Sequence, residues 1–531
     1  MKNVQPHNWW QTGIIYEVYL RSFQDTNGDG MGDLKGIISR LDYLQWLGVN
    51  IIWVTPFYPS PMKDFGYDIS NYTEVDSRFG AMEDFDNLLT QVHKRNMKLV
   101  IDFVPNHTSN QHPWFKASRQ SKENKFSDWY IWKDPVDGKP INNWLSVLGG
   151  SAWEWDENRK QYYYHAFLKE QPDLNLENPD VQNAICVVMR FWLDKGVDGF
   201  RIDVLWHLAK DKLFRNNPPN PEYNSSMPDC DRLQQIYSCD RPEVHEIISK
   251  FRNVLDEYPD RLMMGELYLS FDKCVAYYGK KNDGAHLPAN FQLMFLPWKA
   301  KEIGCAIKEY ESLLPEGAWP NWTIGNHDRA RLISRIGEEQ LRVAAMLLLT
   351  LRGTPTMYYG DEISIPQVPI PVEEQMDPQG LLMPGKNLSR DPQRTPMQWD
   401  REEHSGFTTG EPWLRLSEDH RRVNVQLQLL DENSILIFYK RLISLRQGEA
   451  SLKYGDYDHL SWNENLLLYV RRAPSHDGFL VVLNFTSKSS AMNLESYQGI
   501  IELCTQREAE GLTVRGELNV EPNTGIIIRL R

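Results

Sequence analysis

Eight short apolar runs, each closed by turn residues, punctuate the chain between residues 13 and 362. They are "GIIYEVYL" (13–20), "VNIIWVTP" (49–56), "KLVIDFVP" (98–105), "GFRIDV" (199–204), "RLMMGEL" (261–267), "HLPANFQL" (286–293), "NWTIGNH" (321–327) and "TPTMYYGDE" (354–362). Their length and β-branched content are those of buried strands. Between them the apolar spacing changes to that of one helix face, as in "DFDNLLTQVHKR" (84–95) and "EEQLRVAAMLLLTLR" (338–352). Such alternation predicts an α/β fold, a (β/α)8 TIM barrel, with an open doubly wound sheet as the alternative.

Two intervals are too long for single connections. Residues 106–175 are rich in Asn, Trp, Tyr and Gly and predict a small inserted domain after the third strand. A Pro-rich insertion spans about 364–430, and a last helix is expected over 434–447. Beyond it, "NLLLYVRRA", "GFLVVLNFT" and "GIIIRLR" alternate between Gly, Asn and Ser turns and predict a C-terminal all-β sandwich. The expected organisation is a barrel over 1–105 and 176–450, an inserted domain over 106–175 and a C-terminal domain over 451–531.

Composition narrows the function. A length of 531 residues exceeds the roughly 250 to 300 at which one core stops growing. The net charge of -14 opposes binding to nucleic acid or an anionic membrane and leaves a neutral small molecule as partner. Six cysteines without CxxC spacing indicate neither zinc nor a disulfide framework; reduced thiols are expected, with Cys230 and Cys239 as the one candidate bridge. The opening "MKNVQPHNWWQTG" lacks the pattern of a signal peptide, and no run approaches the ~18 apolar residues of a membrane span. A cytoplasmic monomer or small homo-oligomer is expected.

Charges inside the apolar runs carry the chemistry. Arg201 and Asp203 are two apart in the fourth strand and so share one face. In a barrel, reactive groups gather where strands end. Asp203 ends the fourth strand and Glu266 the fifth; His327 and Asp328 follow the seventh, Asn106 and His107 the third. The guanidinium favours an ionised Asp203, whereas Glu266 after "MMG" is expected in apolar surroundings that favour its acid form. Glycoside hydrolysis needs such a pair: one group protonates the leaving oxygen while the other attacks the sugar or activates water. For Arg201 and Asp203 alone, an ion pair bracing the barrel is the alternative. In "GYD" (66–68), Tyr67 offers an aromatic face to a sugar ring and Asp68 an acceptor for hydroxyls.

"DTNGDGMGD" (25–33) sets oxygen donors at Asp25, Asn27, Asp29 and Asp33, with the Met31 carbonyl as a further ligand. It resembles a calcium loop, although the twelfth position is Gly36 and not the Glu of an EF-hand. A metal-free Asx-turn loop is the alternative. Distance in sequence from the carboxylates makes any ion structural.

The motifs "DFVPNH" (102–107), "QPDLN" (171–175), "GFRIDVLWH" (199–207), "GELY" (265–268) and "IGNHD" (324–328), in this order, resemble those of the α-amylase superfamily, glycoside hydrolase family 13. The resemblance implies Asp203 as nucleophile, Glu266 as acid/base and Asp328 as the carboxylate on the sugar hydroxyls, with Tyr67, Asp68, His107, Arg201 and His327 around the reacting glucose. "DTNGDGMGDL" and "RTPMQWD" (394–400) are closest to bacterial α-glucosidases and oligo-1,6-glucosidases. That likeness implies that Arg394 meets Asp68 and ends the pocket beyond one glucose, that Val204 after the nucleophile biases linkage toward α-1,6, and that the loop holds structural Ca2+ or Mg2+. A retaining exo-α-glucosidase follows, acting on short α-1,4- and α-1,6-glucosides, with sucrose as a further candidate. A transferase or isomerase on the same scaffold, such as trehalose synthase or sucrose phosphorylase, is the nearest rival. A non-enzymatic amylase-like interaction protein is the remote one.

Overall fold

The computed structural model describes residues 7–531; residues 1–6 of the opening segment, read above for a targeting signal, lie outside the described residues. Eight parallel strands occupy the eight apolar runs: β1 (Ile15–Val18), β2 (Ile51–Val54), β3 (Lys98–Phe103), then, after three strands in an insertion, β7 (Gly199–Ile202), β8 (Leu262–Gly265), β9 (Leu287–Pro288), β10 (Asn321–Thr323) and β11 (Thr354–Tyr358). Their order, β10-β11-β1-β2-β3-β7-β8-β9, is sequential around a ring. A parallel bridge between Asn290 and Trp322 joins its two ends, so the sheet is a closed barrel and not an open one.

Strand parity divides the apolar residues into two cores. Ile15, Ile51, Trp53, Val100, Leu262, Met264 and Leu287 point inward and pack together. Ile14, Tyr16, Ile52, Val54, Leu99, Ile101, Phe200, Ile202 and Met263 point outward, against helices such as Leu34–Leu47, Met82–Lys94, Pro179–Lys195 and Leu341–Thr350. Glu17, Asp102 and Arg201 have the inward parity, which sets charge inside the barrel near its C-terminal rim.

Within 106–175, β4 (Trp132–Lys133), β5 (Trp153–Asp156) and β6 (Gln161–Tyr164) make a three-stranded sheet. Its core also takes Phe214 and Tyr237 from the connection after β7. Asn143 further bonds Asn217 in both directions, at 2.9 Å each way. The small unit is thus completed by a segment assigned from sequence to the barrel, because one face of so short a sheet needs a second cover. The insertion after β11 runs as short turns and helices across the mouth.

β12 (Asp456–Trp462), β13 (Leu466–Arg472), β14 (Phe479–Asn484), β15 (Ser490–Cys504), β16 (Thr513–Val520) and β17 (Gly525–Leu530) form one antiparallel sheet. Leu467, Tyr469, Val481 and Ile527 on one face join the barrel's outer core. Leu468, Val482, Leu494, Ile501, Leu518 and Ile528 close a separate core among the sheet's own strands. Among the described residues no helix is long and apolar enough to cross a membrane. All six cysteines are free thiols, so Cys230 and Cys239 do not bridge.

Candidate active site

Arg201 is 1 % exposed and lies at the floor of the mouth. Its Nη1 donates to Asp102 Oδ1 and to Asp203 Oδ1, both at 2.8 Å, and its Nη2 is 3.0 Å from Glu266 Oε1. One guanidinium therefore ties the ends of three neighbouring strands. Register makes this possible, since Asp102 pairs with Arg201 across β3 and β7, and Arg201 with Met264 across β7 and β8. At Gly265, which precedes Glu266, a Cβ would lie 2.3 Å from Leu205 Cδ2, so a larger residue would require Leu205 to shift.

Val204 follows Asp203 with φ 40° and ψ 48°, a left-handed conformation that is strained for a β-branched residue. That turn aims its N–H at Glu266 Oε2, 2.7 Å away. Glu266 consequently does not sit in the apolar surroundings expected from "MMG": both its oxygens face donors.

The charge balance also departs from the expectation that Arg201 keeps Asp203 ionised. Three carboxyl groups share that single cation. Burial, and then the neighbouring Glu266, push Asp203 well above the usual carboxylate range against the pull of Arg201. Burial likewise raises Glu266; Arg201 opposes the rise and Asp328 adds to it. Two buried carboxyls facing one cation, with more negative charge beyond, retain a proton between them and titrate as a pair.

Asp328 is the opposite case. Burial pushes it up, but the charge that His327 takes on in strong acid, with Arg390 and Arg394, holds it well below the usual range. Arg394 Nη2 donates to Asp328 Oδ1 at 2.8 Å, and Arg390 Nη1 is 3.4 Å from the same oxygen. Tyr67 stacks on His327 at 5.7 Å with a 13° interplanar angle. Burial keeps the His327 ring neutral down to about 3 and that of His107 down to about 4.

Arg394 therefore meets Asp328 and the His327 carbonyl, not Asp68. Asp68 is turned away from the sugar position: Oδ1 accepts from the Ser60 hydroxyl at 2.8 Å and the Asp64 N–H at 3.1 Å, and Oδ2 from the Lys63 N–H at 3.0 Å. It holds the loop in shape, with burial raising its carboxyl to about 6. The acid that pairs with an arginine in the cavity wall is Asp64, whose Oδ1 accepts from Arg390 Nη2 at 2.8 Å; the same Nη2 donates to Asp377 Oδ1 at 2.7 Å, and Nε donates to that oxygen at 3.0 Å. Gln171 donates to Asp64 Oδ2 at 3.1 Å and lies 3.2 Å from His107 Nε2.

Tyr67, His107, Asp203, Val204, Glu266, His327 and Asp328 all line one cavity of about 750 Å³, together with Asp64 and Arg390. Arg201 lies beneath its floor and Arg394 behind Asp328. Trp206, Tyr268, Phe295 and Arg329 line the outer part, where Arg329 caps the Tyr268 and Phe295 rings at 4.9 and 4.8 Å. Such a space is charged at the buried strand ends and aromatic toward solvent, where Phe295 is 48 % exposed. Truncating Arg390 tests the role of the pair: Arg390→Ala is expected to lower kcat/KM for disaccharides by roughly 10- to 100-fold, the range for losing a hydrogen bond to a charged group, while raising the relative rate on longer chains.

The loop at 25–33 bonds mainly to amides. Asp25 Oδ1 accepts from the Asn27 and Gly28 N–H groups at 2.8 and 2.9 Å, and its Oδ2 from Gly30 at 2.9 Å. Asp33 caps the helix Leu34–Leu47 through the Gly36 N–H. Asp29 accepts from the Met31 N–H at 2.9 Å. Among the described residues no cluster of three or more His, Cys, Asp or Glu has metal-holding geometry.

A closed eight-stranded barrel whose rim carries two buried carboxyl groups on one guanidinium, in the wall of a cavity, is built as a glycoside hydrolase. The alpha-amylase catalytic domain matches residues 17–455, and the chain belongs to that family. It is 39% identical over 507 residues to a probable alpha-glucosidase of Rhizobium meliloti (strain 1021), covering 92% of this chain and 91% of that protein. It is 40% identical over 506 residues to the amino acid transporter heavy chain SLC3A1 of Homo sapiens, covering 92% of this chain and 72% of that protein. The solved structure of the alpha-glucosyl transfer enzyme XgtA matches with a TM-score of 0.92 at 35% identity, over 99% of this chain and 100% of that one.

Proposed function

We propose that the protein is a retaining, exo-acting α-glucosidase that removes terminal non-reducing α-1,4- and α-1,6-linked glucose from short oligosaccharides, with sucrose as a further substrate. The observation that carries this reading is the shared cavity: the Asp64–Arg390 pair, joined at 2.8 Å, lines the same space as Asp203 and Glu266 and is proposed as the gate that ends it. In this reading one sugar ring lies between that gate and Asp203, so that only a chain terminus enters.

In the proposed reaction Glu266 protonates the glycosidic oxygen as Asp203 attacks the anomeric carbon, giving a glycosyl-enzyme and a free aglycone alcohol. Water then loses a proton to Glu266, attacks the same carbon and displaces Asp203, so that α-glucose leaves. Asp328, held ionised, accepts from sugar hydroxyls and stabilises positive charge on the ring. Val204, which follows Asp203 and lines the same cavity, is proposed to bias the linkage. Proton NMR of the first turnovers of maltose and isomaltose tests the scheme. α-Glucose is expected; β-glucose as first product would overturn it.

Transfer to a sugar acceptor is the second reading, supported by the likeness to an alpha-glucosyl transfer enzyme and by the aromatic outer wall. Product analysis with maltose, isomaltose, sucrose and trehalose, with and without phosphate, separates the two: larger saccharides, trehalose from maltose or glucose 1-phosphate from sucrose mark transfer. The likeness to a transporter heavy chain supports a non-enzymatic reading, which release of glucose from any of these sugars would end.

A structural Ca2+ or Mg2+ at Asp25, Asn27, Asp29, the Met31 carbonyl and Asp33 belongs to this proposal. The donor set consists of hard oxygens alone, as calcium takes. A chelator is expected to lower the melting temperature, with recovery on adding calcium, while kcat below the transition stays constant. The six free thiols favour a reducing, cytoplasmic setting.

A further inference from the structure

Behind the cavity a buried chain of hydrogen bonds runs from Glu17 to Arg201, and its protons can be assigned link by link. Asp102 Oδ1 accepts from Arg201, while its Oδ2 accepts from the Tyr67 hydroxyl at 3.0 Å and Trp53 Nε1 at 3.2 Å. The single Tyr67 hydroxyl hydrogen is therefore committed to Asp102. Tyr67 O must then accept from His327 Nε2, 3.0 Å away. The opposite ring nitrogen, Nδ1, lies 2.5 Å from Glu17 Oε1, and one proton occupies that contact.

Two placements of this proton exist: on Glu17, facing a neutral ring, or on His327, facing a carboxylate. The groups around the pair separate them. Arg201, Arg390 and Arg394 repel a charge on the ring, although Asp328 attracts one. Glu17 faces Asp102 from β3 and Asp328 from the rim, both of which oppose its ionisation; Arg201 from β7 favours it, and Tyr358 from β11 is a neutral phenol. Glu17 is fully buried and its Oε2 has no partner, a position that is costly for a carboxylate oxygen and much less so for the carbonyl of an acid. Burial drives the Glu17 carboxyl well above the usual range and the His327 ring down to about 3.

We infer that Glu17 stands as a neutral carboxylic acid donating to His327 Nδ1, and that it is a positioning residue for the reaction. It fixes His327 as the Nε2–H tautomer. Through Tyr67 and Asp102 that tautomer sets the angle at which Arg201 meets Asp203 and Glu266. Only the kinetic consequence rests on the proposed glucosidase reading; the proton assignment does not.

The assignment is read directly by nitrogen NMR of the full chain labelled with 15N-histidine, the His327 signals being identified by their loss in His327→Gln. A single N–H at Nε2 with a bare Nδ1 at neutral pH is expected; a doubly protonated ring, or a proton on Nδ1 alone, would overturn the inference. The kinetic arm compares two variants. Glu17→Leu removes the donor and is expected to lower kcat/KM by roughly 10²-fold, mainly through kcat, as for a slight misplacement of reacting groups. Glu17→Gln, whose amide can donate to Nδ1, is expected to rescue activity to within about threefold, with the alkaline limb of the pH profile in place. A folded Glu17→Gln as impaired as Glu17→Leu, or with its alkaline limb displaced, would show that the charged form is required. If Glu17→Leu does not fold, the spectrum of the unmodified protein and the Glu17→Gln profile still decide.

Discussion

Asp203→Asn is expected to leave a folded protein whose hydrolysis of maltose is slower by about 10⁴-fold or more, the scale on which loss of a nucleophile acts. Folding should survive because Asp203 makes one ion-pair contact, with Arg201, and that arginine keeps Asp102 and Glu266. Removing one of three carboxyls that share one cation also relieves repulsion, so the melting temperature is expected to hold or rise. In Asp203→Gly, which does vacate the space of the carboxylate, azide added with an activated aryl α-glucoside should attack the anomeric carbon directly and give the β-glucosyl azide. Unchanged turnover, or no product of inverted configuration, would remove Asp203 from the role of nucleophile.

Glu266→Gln should fail differently. Its loss on maltose is expected at roughly 10²- to 10⁴-fold, the usual range for a general acid. With an aryl leaving group that needs no proton, the first step should survive and the glucosyl-enzyme should accumulate as a burst. Azide should then release the α-glucosyl azide, the opposite anomer from the Asp203 variant. The pH dependence follows from the shared proton. At low pH a second proton reaches the pair and silences the nucleophile; at high pH the last proton leaves and removes the acid, so kcat/KM falls on both sides. Asp328, held well below the usual range, stays ionised throughout. In Glu266→Gln the alkaline limb should vanish for the aryl substrate, since no acid remains to lose its proton.

Much of this architecture is legible in the chain because strands and helices advertise themselves by period. All eight predicted strands fall on apolar runs, and the residues at their ends reach one rim because a closed parallel barrel leaves them nowhere else to converge. Glu17 and Asp102 carried the same mark that singled out Arg201, a charge within an apolar strand, and that mark finds both. Asp64 and Arg390 carried none. Each is one polar residue among many in a loop, and nothing in "KDFGYD" distinguishes Asp64 from Asp68 as the group that faces the sugar. The difference lies in how a turn at Ser60 to Asp68 directs two carboxyls, one into its own amides and the other toward an arginine 326 residues away.

The protonation states were likewise beyond local reading. Taken two at a time, Arg201 with Asp203 predicts an ionised carboxylate; with three strand ends converging on one guanidinium, Asp203 and Glu266 instead share a proton, since one cation cannot balance three buried anions. The sequence by itself determined the barrel, the identity of the three carboxylates and the rim on which they stand, because periodicity and strand parity are local properties of a chain. Tertiary structure alone decided which acid pairs with Arg390, which buried groups share a cation and how Glu17 reaches His327. Those depend on distances between residues remote in sequence and on a shared, poorly screened electrostatic field, which no window along the chain contains.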